Sequence, residues 1–199
     1  MITLDRLELS EPYKRFYDLY DKCIEKKQPL PEALAISTVE LKSQEVDSRF
    51  VNLKYVLGED WIFFTNYNSP KAIQIASNNN ISALLYWHSI NVQIRIKAII
   101  KKTSKSFSDE HFQSRSNTKN ALAISSMQSE QIESYEKVKE NFYKILKQEE
   151  IKNKRPEFWG GYKFTPYKFE FWEGNDSRLN KRESYTKIEN LWNYSILQP

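Results

Sequence analysis

Val92-Gln93-Ile94-Arg95-Ile96-Lys97-Ala98-Ile99-Ile100 decides the fold class of this chain. Val92, Ile94, Ile96 and Ala98 alternate with Gln93, Arg95 and Lys97. An extended strand with that pattern turns one face to a core and the other to water or a ligand. Segments of the same kind recur on both sides. Residues 33–39, 49–56, 61–65 and 81–87 read as strands before it, and 162–164, 168–172, 178–185 and 191–196 after it. Gly58-Glu59-Asp60 turns the chain between two early strands, and Glu173-Gly174-Asn175-Asp176 makes a hairpin of two late ones. Helices occupy separate blocks. The lead helix, 11–27, carries Tyr13, Phe16, Tyr17, Tyr20 and Ile24 at helical spacing and ends at Pro29 and Pro31. Ser69 is placed to cap a short helix with Ala72, Ile73, Ile75 and Ala76 on it. Further helical stretches run over 108–114, around Ala121, and over 129–149. Six or more antiparallel strands with segregated helices predict an α+β domain built on a small barrel, one domain over 1–199.

Composition narrows the function classes. The 199 residues hold 30 Lys and Arg against 26 Asp and Glu, a net +4 that does not demand nucleic acid. Gly (4) and Pro (7) are scarce, which argues against long linkers. Cys23 alone excludes an internal disulfide, and two His with one Cys predict no metal site. His88 reads as a surface residue. Residues 1–11 are polar and resemble no signal peptide, and no apolar run approaches a membrane span. The expected location is cytoplasmic. Ser125-Ser126 lacks the Gly-flanked elbow of a hydrolase nucleophile. Lys alternates with Glu over 137–152, as on a solvated helix face.

Two basic pairs stand out. Arg178 and Arg182, four apart in Arg178-Leu179-Asn180-Lys181-Arg182, share one face if the strand is extended there. Arg suits bidentate contact with phosphate or carboxylate. Arg49 and Lys54 bound Arg49-Phe50-Val51-Asn52-Leu53-Lys54, and their odd spacing puts them on opposite faces of a regular strand. Either the strand is bulged or the two do different jobs.

These pairs belong to an ordered series: Arg49 to Lys54, Phe64-Thr65-Asn66, Ser69-Pro70-Lys71-Ala72, Trp87, Gln93-Ile94-Arg95, and His111-Phe112-Gln113-Ser114-Arg115. It continues through Gln128-Ser129, Pro156-Glu157-Phe158-Trp159-Gly160-Gly161-Tyr162, Glu170-Phe171-Trp172, Arg178-Leu179, Arg182 and Leu197-Gln198-Pro199. From about residue 11 onward the series resembles the pyridoxamine 5′-phosphate oxidase family of FMN enzymes. The resemblance implies a split β-barrel that dimerises through a C-terminal segment, about 156–199, with FMN between subunits. It places the FMN phosphate on Arg49, Lys71, Ser129 and Arg182. Thr65, Gln93 and Gln128 become hydrogen-bonding positions, Trp172 packs near the cofactor, and Val51, Leu53, Lys54 and Phe64 fall in the cofactor-binding stretches.

For the substrate the resemblance implies Lys54, His111, Arg115, Lys119, Arg178 and Asn180, with Arg178 and Asn180 nearest the chemistry. Three of these depart from the family pattern: His111 stands for Tyr, Lys119 for Ser and Asn180 for His. Pro70 replaces an Arg and Ile124 a Trp. The anion pocket keeps its charge, Lys119 adds one, and His111 can add another. Asn180 can hydrogen-bond but not act as acid or base near neutral pH. The implied activity is hydride transfer from an amine or alcohol of a phosphorylated pyridine to FMN, reoxidised by oxygen, in pyridoxal phosphate biosynthesis. The departures keep two rivals open: a relative that oxidises another anionic ring, such as a phenazine precursor, and a flavin-binding protein without turnover.

Overall fold

A computed structural model describes residues 1–148 and 154–199. Ten strands form one curled sheet, β1 (Thr3–Asp5), β2 (Ala33–Val39), β3 (Val46–Asn52), β4 (Tyr55–Leu57), β5 (Asp60–Asn66), β6 (Asn80–Trp87), β7 (Val92–Lys102), β8 (Trp159–Glu173), β9 (Lys181–Ile188) and β10 (Leu191–Leu197). Among the described residues five α-helices accompany them, α1 (Glu11–Glu25), α2 (Pro70–Ser77), α3 (Lys105–Ser114), α4 (Asn117–Ser125) and α5 (Tyr135–Leu146). The order is β1-β4-β5-β8-β7-β6-β2-β3, with β9 on β8 and β10 on β9. All pairs are antiparallel except β1 with β4. This is the split half-barrel expected of the sequence.

The sheet splits at β8. Its first half, Trp159 to Phe164, pairs with β5, and its second, Lys168 to Glu173, pairs with β9, while β7 runs along the other side from Tyr162 to Glu173. Residues 165–167 lie in the gap between partners, where Pro166 has no amide hydrogen to miss. Opposite the junction of Lys97 and Ala98, Tyr167 is an extra residue, a β-bulge. The bulge shifts the phase of burial. Tyr162 and Phe164 face the core before it, and Phe169 and Phe171 after it. The segments read as strands at 162–164 and 168–172 are therefore one strand with a bent middle.

Helix α1 covers the core. Tyr13, Phe16, Tyr20 and Cys23 are buried on one face at helical spacing, and the Phe16 ring lies 4.4 Å from that of Trp61. Three further expectations change, and one strand was not expected. The strand read over 49–56 breaks at Leu53 and Lys54, because the Leu53 amide bonds Glu32 and the Lys54 amide bonds Ile62. The helix read from 129 starts at Tyr135, since Ser129 has φ 73°, outside helical space; the end expected at 149 lies outside the described residues. Arg178 also has positive φ, 62°, and the strand begins only at Lys181, so Arg178 and Arg182 do not share a strand face. Strand β1 had no signature in the polar start of the chain.

Candidate functional site

A cavity of about 530 Å³ opens between β3, β5, the start of α2 and the loop at Gln128 and Ser129. Arg49, Val51, Phe64, Thr65, Pro70 and Lys71 all line it. Lys71 stands in the first turn of α2 and is buried, 6% exposed, with its Nζ 3.2 Å from Thr65 Oγ1 and 3.1 Å from Ser69 Oγ. No carboxylate pairs with it among the described residues. Burial first, and the charge of Arg49 second, push its pKa down to about 8. Arg49 is fixed by a network that spans three elements. Its Nη1 donates to Thr38 Oγ1 at 2.6 Å, its guanidinium pairs with Asp47 at 3.5 Å, and Gln74 donates to the same Asp47 at 2.7 Å. Thr65 Oγ1 donates to Gln128 Oε1 at 3.1 Å. A buried ammonium held only by hydroxyls, beside a second cation and an apolar wall of Val51 and Phe64, fits a flat ligand that carries a phosphate.

A second cavity, about 240 Å³, shares Phe64, Thr65 and Gln128 with the first and adds Arg115, Lys119 and Trp159. Arg115 Nη2 donates to the Lys119 carbonyl at 2.9 Å, and its guanidinium stacks 4.4 Å over Trp159. Its Nη1 is buried with no hydrogen-bond partner among the described residues. Burial lowers the Arg115 pKa to about 10. Lys54, in the break between β3 and β4, is shifted down by burial and, against the pull of Glu32, by Lys119 and Arg115. An orphaned guanidinium donor, with Lys119 beside it in the cavity and the charge of Lys54 felt nearby, has the chemistry to take an anion.

His111 does not add charge there. Its ring stacks on Phe64 at 3.7 Å and 12°, and Nδ1 lies 2.8 Å from the Tyr55 hydroxyl. Burial, then Arg115, Lys54 and Lys119, push its pKa down to about 4. With the pKa that low the imidazole stays neutral near pH 7, and the further charge that His111 can add comes only in acid.

The remaining candidates lie elsewhere. Gln93, Trp172 and Arg182 sit side by side in one cross-strand row of β7, β8 and β9. Arg178 and Asn180 are in the loop before β9, where Asn180 Oδ1 accepts from the Asn175 amide at 3.0 Å. None of these five lines either cavity. Leu53 has its side chain fully buried in the core, and neither Leu53 nor Lys54 lines either cavity. The chain thus carries two separate groups of candidates. Sequence reasoning missed Thr38, Gln74 and Tyr55, which hold Arg49 and His111 across long sequence separations and carry no local signal.

A family model for the pyridoxine 5′-phosphate oxidase C-terminal dimerisation region matches residues 159–199. The chain is 34% identical over 190 residues to a pyridoxine/pyridoxamine 5′-phosphate oxidase of Paraburkholderia phytofirmans, covering 94% of this chain and 89% of that one. The chain belongs to the pyridoxine/pyridoxamine 5′-phosphate oxidase family. The oxidase of Legionella pneumophila is 35% identical over 193 residues, 96% of this chain and 88% of the other. Among solved structures, PhzG from Burkholderia lata 383, in complex with tetrahydrophenazine-1-carboxylic acid, superposes with a TM-score of 0.88 at 26% identity, covering 96% and 93% of the two chains. An FMN-binding relative of pyridoxamine 5′-phosphate oxidase from Nostoc punctiforme matches at TM-score 0.79 and 12% identity, a likeness of fold. FMN is the cofactor of the oxidase family. No helix among the described residues is long and apolar enough to cross a membrane.

Proposed function

We propose that this chain is an FMN-dependent oxidase of a small aromatic substrate that carries an anionic group, in the first place the amine or alcohol of a phosphorylated pyridine. The observation that carries the reading is the buried, unpartnered Nη1 of Arg115, in a cavity that adjoins the Lys71 pocket. Arg49, Lys71 and Ser129 would hold the FMN phosphate, with Thr65 and Gln128 as directed hydrogen-bonding groups. Gln93, Trp172 and Arg182 would come from a second copy, a reading supported by their absence from the lining of both cavities and by the dimerisation-region match. FMN, when bound, accepts a hydride and returns the electrons to oxygen.

The protein's part is to orient. Arg115, Lys119 and Lys54 anchor the substrate anion, and the ring stack of Phe64 and Trp159 (5.4 Å, 14°) walls the cavity beside it. Arg178 and Asn180 would lie over the substrate ring; Asn180 offers a hydrogen bond but takes no proton. A second reading, oxidation of a reduced phenazine acid, is supported by the likeness to PhzG and by Asn180 in place of the family His. Anaerobic single-turnover bleaching of the flavin separates them. The first reading expects reduction by pyridoxamine or pyridoxine 5′-phosphate, with much weaker binding of the dephosphorylated forms. Reduction only by tetrahydrophenazine-1-carboxylic acid would transfer the assignment to the second.

A further inference from the structure

We propose that Glu170 is a positioning residue for the FMN half-site, acting through Arg182. The inference rests on the reading that Arg182 meets the cofactor phosphate. Glu170 occupies β8 two residues before Trp172, hence on the same face as the row of Gln93, Trp172 and Arg182, and in register with Arg95 on β7 and Ser184 on β9. It lies on the polar face of the sheet, yet its side chain is only 9% exposed, because two guanidiniums cover it. Arg182 donates to Glu170 Oε1 from Nε at 3.0 Å and from Nη2 at 2.7 Å. Arg95 Nη1 reaches Oε1 at 3.2 Å and Oε2 at 3.0 Å. The third nitrogen of Arg182, Nη1, donates to the Gln198 carbonyl at 2.7 Å.

Every nitrogen of the Arg182 guanidinium is therefore held by its own chain, and the plane of the fork is fixed. A guanidinium has five N–H groups, so about two remain for an outside anion. A freely moving arginine would have to be ordered when the phosphate arrives; here the ordering is done on folding. The shared carboxylate also lets Arg95 and Arg182 lie close together on one face without uncompensated repulsion. The opposite effect is equally physical: a carboxylate can compete with phosphate for the same arginine. The two effects predict opposite signs. The fit of Glu170 to the Nε–Nη2 edge, with Nη1 anchored separately at Gln198, points to positioning.

The test is a double-mutant cycle on FMN affinity, measured by titrating apoprotein with FMN and following flavin fluorescence. Arg182→Ala should weaken binding by about ten-fold or more, as for loss of a charge-assisted contact. Glu170→Gln should weaken it by about ten-fold in the wild-type background, and by nothing further when Arg182 is already Ala. A purely structural role would lower affinity equally in both backgrounds, and that additivity overturns the inference. Unchanged or tighter binding by Glu170→Gln, with Arg182→Ala weakened, overturns it alone and leaves the half-site standing. Wild-type affinity in Arg182→Ala overturns the half-site reading and the inference with it. Should Glu170→Gln fail to fold, Glu170→Asp keeps the charge and shortens the reach. It should weaken FMN binding with Arg182 present and have no effect once Arg182 is Ala.

Discussion

At the scale of single residues, the site is tuned by burying cations together, and two titrations follow. His111 has its pKa near 4 against an ordinary 6.5. Between those values the unfolded chain binds a proton that the folded chain refuses, so stability falls as pH drops from 6.5 towards 4 and is level above 6.5. Urea midpoints at pH 7 and pH 5 should separate more for wild type than for His111→Phe, which keeps the stack on Phe64 without the titration. Identical pH dependence in the two proteins would contradict the buried neutral imidazole. Lys71 gives the second titration. With its pKa near 8 in the free pocket, it must be protonated to greet a phosphate. FMN affinity should decline as pH rises through 8 and above, and Lys71→Arg, charged throughout that range, should flatten the decline. Isothermal titration from pH 7 to 9.5 reads both. A wild-type affinity that stays level to pH 9.5 would take Lys71 out of the phosphate site.

At the scale of elements, the decisive device is the bulge at Tyr167. It moves the buried positions of β8 from Tyr162 and Phe164 to Phe169 and Phe171. Deleting Tyr167 would restore strict alternation and turn Phe169 and Phe171 away from the core. Losing one buried Phe costs about 3–5 kcal/mol, and two such losses approach the whole stability of a domain. The deletion should show no cooperative thermal transition. Tyr167→Ala, which keeps the extra residue, should melt within a few degrees of wild type. Circular dichroism melts decide, and a cooperative melt of the deletion near the wild-type temperature would dismiss the bulge as a phase-setting device. The same bulge explains why the sequence shows β8 in two pieces, for Pro166 and the change of phase both read as a strand end. β2, β5, β6, β7 and β10 were found as strands, β7 by its alternation, and the turn at Glu173 to Asp176 was found as a hairpin. Positive φ at Ser129 and Arg178 was not legible, since neither residue type favours it. Nor was the network that holds Arg49, because Thr38, Asp47 and Gln74 meet only after three elements pack. The cations at the second cavity were readable from the motif series; the neutrality of His111 was not, because burial belongs to the fold.

At the scale of the molecule, only one of the two groups of candidate residues lines the cavities, and the proposed site needs both. Arg49 and Lys71 line the cavity, whereas Gln93, Trp172 and Arg182 form a row on β7, β8 and β9 that lines neither cavity. If one copy supplies the cavity and another supplies the row, defects placed on different chains complement each other. Arg49→Ala damages the cavity, and Arg182→Ala damages the row. Each homodimer then has two defective sites. A heterodimer of the two variants has one site with both defects and one with neither. Equal mixing with free exchange makes half the dimers heterodimers, so about a quarter of all sites become intact. Apoproteins of the two variants, unfolded and refolded together, should therefore regain high-affinity FMN binding to roughly that fraction, while each refolded alone regains none. Tight binding would be counted by flavin fluorescence at an FMN concentration well below the affinity of either variant. No recovery on mixing, with both variants individually weakened and dimeric, would mean that each chain builds its site alone. Arg182 would then serve the cavity of its own copy.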